Sequence, residues 1–179
     1  MKIILYLLIF ASLTLVGSCK KFDEKTQFDI TINETVEIPS IVGVNLPFNL
    51  PTTSIHTEIN EQLEIKDKKK EKIEYINLTE LKLSILNPSN KNFNFLKAVE
   101  VYISAENLPE ILVAKEDNMP NANAQEVYVS PIEKLDLTEY VKKDAIDLKV
   151  VVTTDETIFQ KVTIDVQSSF WIDAKVLGI

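Results

Sequence analysis

Hydrophobic and polar residues alternate with a period of two along most of the chain, which is the pattern of half-buried β-strands. In the segment from residue 28 to residue 38 the even positions are apolar, with the exception of Glu34, and the odd positions are polar. This segment therefore predicts an N-terminal strand with its even positions in the core. Because Glu34 interrupts the apolar row, we expect a bend or bulge there.

The same pattern is strongest in the last part of the chain. Even positions are apolar from Ile146 to Val152 and mostly apolar from Ile158 to Val176. The second run is longer than a usual strand of about five or six residues, and it contains Ser168 and Ser169. We therefore predict two strands here, the second of which bends or splits at the serine pair.

Shorter segments predict the remaining elements. Four of them predict further strands, at about residues 73–86, 98–105, 111–115 and 125–130. Two others predict one or two helical turns each, at residues 54–65 and at 137–142, the latter after a candidate cap at Asp136. Residues 41–53 contain two prolines, and proline cannot donate to a sheet ladder, so we expect an extended loop or a sheet edge there.

Together these elements predict the fold class. About seven strands, little helix and no alternation of strands with long helices favour an antiparallel sandwich. We expect an all-β, immunoglobulin-like β-sandwich with one or two short helical turns, formed as one domain by residues 27–179. A domain of this length can bury about two thirds of the surface of its unfolded chain, so a self-sufficient core is feasible.

Residues 1–18 follow a different pattern. Lys2 precedes an apolar run from Ile3 to Leu15, and the small residues Gly17 and Ser18 come next. A charged start, an apolar middle and a small-residue end are the features of a secretory signal peptide. The apolar run is shorter than the roughly 20 residues that a membrane-spanning helix needs. We therefore predict that residues 1–18 are a signal peptide.

The end of this segment resembles a lipobox. Val16-Gly17-Ser18-Cys19 is similar to the cleavage motif of bacterial lipoproteins, and Cys19 is the only cysteine. The resemblance implies that Cys19 is acylated, palmitate being one such acyl group, and becomes the new N-terminus. Two or more acyl chains make an anchor that does not readily leave a membrane. The alternative is an ordinary signal peptide with an incidental cysteine.

Residues 19–26 form the lipidated cysteine and a charged tether in this interpretation. In bacterial lipoproteins an Asp after the cysteine is the familiar inner-membrane retention signal, and this chain has Lys20 there. The resemblance therefore implies the cell envelope, and the outer membrane in particular, with the leaflet left open. The run from Lys20 to Glu24 also resembles the surface-export signals of some Bacteroidota lipoproteins. A solvated spacer is the alternative.

Charge limits the partners. The formal net charge is −8, and all 19 basic residues are lysine. Nucleic acids and anionic lipids require clustered cations on the protein, so neither is expected as a partner of the folded domain. Arginine is the usual bidentate ligand of phosphate and carboxylate groups, so its absence disfavours recognition of phosphorylated or acidic ligands. The alternative, which we favour, is that the absence of arginine reflects the base composition of the genome.

The residues of common catalytic sites are missing. Gly43 and Gly178 are the only glycines after residue 18, so neither a phosphate-binding loop nor a nucleophile elbow can be written. His56 is the only histidine, which excludes a multi-histidine metal site, and we interpret it as a solvated loop residue. Carboxylate pairs such as Glu116 and Asp117 lack the spacing of a calcium loop. We expect no enzymatic activity, metal or cofactor.

Three aromatic residues are the candidates for ligand or partner binding. Tyr102, Tyr128 and Trp171 each lie on the face opposite to the main apolar row of their strands. Aromatic rings on an outer sheet face can stack against sugar rings or anchor a protein partner. Alternatively, they pack under a loop, under a short helix, or against each other as cross-strand pairs.

Two further resemblances concern the domain. The segment 81–90, a strand followed by Asn87-Pro88-Ser89-Asn90, is similar to the strand and Asn-Pro turn of late-embryogenesis-abundant type 2 sandwiches. Asn-Pro turns also arise from turn chemistry alone, and no functional residue is implied. The whole chain resembles small Bacteroidota lipoproteins of no known activity.

We therefore expect a membrane-anchored lipoprotein that acts as a non-catalytic binding or scaffold module for a protein or glycan partner. The alternative is a carrier that holds a small apolar ligand between its sheets, suggested by the apolar stretch from Ile41 to Leu50. A continuous apolar cavity of the size of a ligand pocket, about 300–1,000 Å³, would favour the carrier. A large exposed apolar or aromatic patch would favour the binding module.

Overall fold

The computed structural model describes residues 26–40, 45, 47–50, 56–66, 69–119, 123–143 and 146–175. The predicted signal peptide, Cys19 and the tether up to residue 25 lie outside these described residues. Nine strands and two α-helices are described: β1 (Gln27–Ile38), β2 (Pro47–Leu50), α1 (His56–Ile65), β3 (Ile73–Asn87), β4 (Leu96–Ala105), β5 (Leu108–Glu116), β6 (Glu126–Tyr128), β7 (Ser130–Pro131), α2 (Thr138–Val141), β8 (Ile146–Thr154) and β9 (Val162–Ala174). Two short 3-10 helices, Lys70–Lys72 and Phe93–Phe95, precede β3 and β4.

The strands form two antiparallel sheets. Sheet I has the order β1-β9-β3-β6, and sheet II has the order β2-β8-β4-β5-β7. Every pairing is antiparallel. The predicted all-β antiparallel sandwich is therefore confirmed. The number of strands is nine instead of about seven, because residues 47–50 form an edge strand and the segment 125–130 is divided between the two sheets.

The connectivity of the sheets is that of a jelly roll. In the immunoglobulin fold the first strand pairs with the second, whereas here β1 pairs with the last strand and β2 lies in the other sheet. β6 and β7 act as one strand that passes from sheet I to sheet II at the buried residue Val129. Eight principal strands in two sheets connected in this way form the double Greek key of a jelly roll.

β1 and β9 pair without interruption over the whole length of β1. The predicted bulge at Glu34 and the predicted split at Ser168 and Ser169 are therefore wrong, whereas the bends given as alternatives at these two positions stay predictions. Glu34 is only half-buried, so its carboxylate keeps access to solvent although it lies in the inward-facing row. The irregularity opposite the serines lies on β3, where the register shifts between Leu78 and Glu80.

The core lies between the sheets and is closed at its ends by short elements. Even positions of β1, β8 and β9 point inward, as predicted. α1 packs against β1 and contributes the buried side chains of Ile59 and Leu63. The N-cap residue of α2 is Leu137, which provides no side-chain cap, so the predicted cap position at Asp136 is one residue too early. Asp136 Oδ1 nevertheless accepts a hydrogen bond from the Thr138 amide, the first residue of the helix, at 2.9 Å.

Candidate functional site

The three predicted aromatic residues do not converge. Trp171 and Tyr128 lie on the outer face of sheet I, because Trp171 alternates with the buried residue Ile172 and Tyr128 pairs with Lys82. Tyr102 lies on the outer face of sheet II, on the opposite side of the sandwich. The molecule therefore has two candidate faces, and only that of sheet I carries more than one of these aromatic residues.

Trp171 forms an aromatic pair with Tyr75. The ring centroids are 5.8 Å apart and the ring planes meet at 61°, an edge-to-face arrangement of the kind that aromatic pairs prefer. Trp171 pairs with Asp29 on one side and Asn77 on the other in the strand register. We call Trp171 and Tyr75 the aromatic platform. Because both rings are half-buried, the sheet holds them in place while part of each stays accessible.

Amide and hydroxyl side chains extend from the aromatic platform along the outer face of sheet I. Gln167 donates to Asn33 at 3.1 Å, and the hydroxyls of Thr31 and Ser169 are 3.3 Å apart. The Thr79 hydroxyl donates to the carbonyl of Ser169 at 2.9 Å. These bonds connect β1, β9 and β3, so they orient the side chains of an otherwise solvent-facing surface. We call these five residues the polar row.

Tyr128 lies at the far end of the polar row. It is 54% exposed and pairs with Lys82, which in turn pairs with Gln167, four residues from Trp171. Four residues along a strand and two strand spacings place Tyr128 about 16 Å from Trp171. The outer face of sheet I therefore carries aromatic rings near both ends of a polar surface. This surface consists of the hydroxyl and amide groups of the polar row and, beside Tyr128, the Lys82–Glu126 ion pair, whose Nζ and Oε1 atoms are 3.8 Å apart.

Tyr102 is held within an ionic network on sheet II. Its hydroxyl donates to Glu100 Oε2 at 2.7 Å, and Lys149 Nζ lies 5.0 Å from its ring centroid. Lys115 Nζ is 3.1 Å from Glu100 Oε1 and 3.0 Å from Asp117 Oδ1. The hydrogen bond from Tyr102, followed by that from Lys115, lowers the pKa of Glu100. The hydrogen bond to Glu100 raises the pKa of the Tyr102 hydroxyl. Both the ring and the hydroxyl of Tyr102 therefore contact neighbours in their own sheet.

The lowered pKa of Glu100 predicts a pH dependence of stability. A carboxyl group with a lower pKa in the folded state stabilises the fold above its ordinary pKa of 4.5. This stabilisation is lost as the pH falls through the lowered value. Melting curves between pH 7 and pH 3 should therefore show a smaller loss of stability for Glu100→Gln than for the wild type. Glu139→Gln is the control, because Glu139 is three quarters exposed (75%). A wild-type acid transition that Glu100→Gln leaves unchanged would contradict this assignment.

A small apolar cavity lies between the sheets. It has a volume of about 80 Å³, below the roughly 300–1,000 Å³ of ordinary ligand pockets, so it does not meet the size that would favour the carrier of a small apolar ligand. Its 24 lining residues come from both sheets, α1 and the segment that includes α2, and all are hydrophobic except Glu34 and Ser168.

The other candidates from the sequence were His56, a metal site and a membrane-spanning helix. His56 begins α1 instead of lying in a loop, and its side chain is not among those described. Within the described ranges, no group of three or more histidine, cysteine, aspartate or glutamate side chains is placed to hold a metal ion. No helix in the same ranges is long and apolar enough to cross a membrane.

Tyr75 is a residue of the candidate site that the sequence did not identify, although the alternation of β3 indicates that it faces outward. Tyr75 lies on the outer face of β3, two residues from the start of the strand. Its partnership with Trp171 depends on how β3 and β9 pair, which a residue pattern alone does not define. The polar row likewise depends on the register of three strands that are distant in sequence.

Comparisons with known proteins give no family. No protein-family model matches the chain, and no curated protein matches it. Among solved structures, it is similar to the "acidic stable capsid structure" of Helicobacter pylori bacteriophage KHP30, with 11% identity, a TM-score of 0.33 and coverage of 79% of this chain and 91% of that chain. It is also similar to the virus-like particle of extra small virus from the prawn Macrobrachium rosenbergii, with 10% identity, a TM-score of 0.21 and coverage of 83% and 81%. With both TM-scores below 0.5, neither similarity carries an argument about this protein.

Proposed function

We propose that the protein is a membrane-anchored, non-catalytic binding module that holds a glycan on the outer face of sheet I. The observation that carries the proposal is the aromatic platform, Trp171 and Tyr75, at one end of the polar row, with Tyr128 near the other end. Sugar rings present apolar C–H faces and many hydroxyl groups. Aromatic rings pack against the apolar C–H faces. Amide and hydroxyl side chains donate hydrogen bonds to the sugar hydroxyls and accept hydrogen bonds from them.

The charges around this surface favour a neutral glycan. Asp29 and Asp173 lie beside the aromatic platform, since Asp29 pairs with Trp171 and Asp173 with Tyr75. Carboxylates accept hydrogen bonds from sugar hydroxyls but repel acidic sugars. The chain contains no arginine, which is the residue that most often binds carboxylate and phosphate groups through bidentate hydrogen bonds. A chain of neutral sugars therefore fits better than a phosphorylated or uronic-acid polymer.

The membrane part of the proposal rests on the N-terminal segment. The resemblance of Val16-Gly17-Ser18-Cys19 to a lipobox supports an acylated Cys19 in the cell envelope, with the outer membrane favoured by Lys20. β1 begins at Gln27, so only the seven residues 20–26 separate the lipidated cysteine from the first strand. A binding domain on so short a tether would retain its ligand close to the membrane surface.

Affinity electrophoresis against neutral polysaccharides tests the glycan site. Four gels are compared, which contain a β-glucan, an α-glucan, a xylan or a mannan. At least one of them should retard the wild-type domain. Trp171→Ala should weaken that binding by about thirtyfold, because truncation of an aromatic anchor at an interface costs about 2 kcal/mol or more. Trp171→Phe should retain part of the affinity, since it keeps an aromatic face.

Phe159→Ala is the matched control for this experiment. Phe159 is the most exposed large hydrophobic side chain described, at 89%, and it lies in the loop before β9. Its removal should leave binding unchanged, and circular dichroism melting curves should show that Trp171→Ala still folds. The proposal fails if no neutral polysaccharide retards the wild type, or if Trp171→Ala binds as tightly as Phe159→Ala.

A further inference from the structure

The aromatic rings at the two ends of the outer face of sheet I are too far apart to contact one sugar. Tyr128 lies four residues along the strands and two strand spacings from Trp171, a separation of about 16 Å. With single bonds of about 1.5 Å, one sugar ring and its linking oxygen span about 5 Å of an extended chain. A ligand that contacts both rings therefore contains about four sugar units.

The side chains between these two positions form a continuous polar surface. Ser169 and Gln167 follow Trp171 at successive outward positions of β9. In the register of the strands, Gln167 pairs with Lys82, and Lys82 pairs with Tyr128. A chain that runs from the aromatic platform to Tyr128 therefore meets hydroxyl, amide and ammonium groups in turn.

This surface is accessible along its length. Asn33 and Thr79 of the polar row are exposed, and Tyr128 is 54% exposed. Gln167 donates one amide hydrogen to Asn33 Oδ1 at 3.1 Å, so its second amide hydrogen and its carbonyl oxygen are left for a ligand. The polar row therefore presents hydrogen-bonding groups to several sugar units at once, and the Tyr128 ring adds a second apolar contact.

We propose that this surface binds an unbranched, extended, β-linked glycan chain along its internal sugar units, a binding mode that rests on the proposed function. Chains of the cellulose, xylan and mannan type are extended, so successive units follow the path from the aromatic platform to Tyr128. A coiled α-linked chain of the starch type curves away from this path. A single terminal sugar contacts the aromatic platform alone.

NMR titration with oligosaccharides of increasing length tests the binding mode. Cello-, xylo- and manno-oligosaccharides from the disaccharide to the hexasaccharide are titrated into the wild-type protein. In the series that binds, affinity should rise with each unit up to about four units and change little beyond that length. Maltohexaose is the α-linked control, and it should bind about fivefold more weakly or worse than the hexasaccharide of that series, because it loses the contact with Tyr128.

Tyr128→Ala separates the two ends of the surface. It should weaken hexasaccharide binding about fivefold, because the loss of one aromatic contact at an interface costs about 1 kcal/mol, and it should leave disaccharide binding unchanged. Trp171→Ala should weaken the binding of both ligands, since both contact the aromatic platform. Tyr102→Ala is the matched control, because it removes the same type of side chain from the outer face of sheet II, and it should bind like the wild type.

The binding mode and the glycan site fail separately in these experiments. The binding mode is overturned if the disaccharide binds as tightly as the hexasaccharide, if Tyr128→Ala binds the hexasaccharide like the wild type, or if maltohexaose binds as tightly as the β-linked hexasaccharides. In each of these cases the glycan site itself stands as long as Trp171→Ala weakens binding. Absence of binding for every oligosaccharide and for every polysaccharide in the gels overturns the glycan site and the binding mode together.

Discussion

Replacing Phe95 by alanine is expected to destabilise the sandwich by about 3–5 kcal/mol. Phe95 is completely buried, as is Phe93, and their ring centroids are 6.0 Å apart in the short turn before β4. The Phe95 carbonyl also accepts a hydrogen bond from the Asp155 amide at 3.1 Å, so the turn that carries the ring is tied to the loop after β8. Truncation leaves a cavity where these segments meet, and the surrounding backbone has little freedom to close it.

Urea denaturation and thermal melting measure this effect. A domain of this size is stable by about 5–15 kcal/mol in total, and each kcal/mol lowers the melting temperature by about 2–4 °C. Phe95→Ala should therefore melt roughly 6–20 °C below the wild type. Phe159→Ala is again the control, since an exposed substitution changes stability by no more than about 0.5 kcal/mol. Equal melting temperatures for the two variants would show that Phe95 does not contribute to the core.

The alternating pattern predicted which side of each long strand is buried. The even positions of β1, β8 and β9 point into the core, because a strand between core and solvent exposes every second residue whatever its partners are. This is the part of the fold that depends only on neighbours along the chain. The prolines in residues 41–53 also predicted an extended loop or a sheet edge from local chemistry alone, because proline cannot donate to a sheet ladder. β2, which begins at Pro47, lies at the edge of sheet II.

The errors arose where the outcome depends on a distant strand. Glu34 suggested an interruption of the strand, but β1 pairs through it, and its inward-facing carboxylate lines the cavity while remaining half-buried. The serine pair suggested a bend or a split of β9, but β9 is not split there, and the extra residue of the register shift is on β3. A bulge adjusts one strand to another, so the sequence of β9 alone does not define which of the two strands contains it.

The candidate site depends on strand pairing even more strongly. The alternation of β9 and β6 identified Trp171 and Tyr128 as outward-facing. Their common sheet, the proximity of Tyr75, and the position of Tyr102 on the other sheet all follow from the jelly-roll order of the strands. A local pattern therefore identifies which side chains are available for binding, and the topology decides which of them can contact one ligand together.

Replacing Cys19 by alanine is expected to move the protein from the membrane fraction to the soluble fraction. The lipobox resemblance implies several acyl chains at this residue, and each methylene buried in a bilayer contributes about 0.8 kcal/mol. Loss of all the chains should therefore abolish retention almost completely. Fractionation of the native host measures retention at the membrane. Metabolic labelling with palmitate measures acylation, and the intact mass of the purified protein identifies the modification.

The domain should be unaffected by this substitution, because Cys19 precedes β1 by eight residues. Cys19→Ala should therefore keep the wild-type melting temperature and, if the glycan proposal holds, the wild-type retardation on polysaccharide gels. That combination would separate the anchor from the binding surface: Trp171→Ala should lose the ligand and remain at the membrane, and Cys19→Ala should do the reverse. An unmodified thiol on residue 19 of wild-type protein from the native host would contradict the anchor and leave a secreted sandwich, whose binding surface would then act away from any membrane.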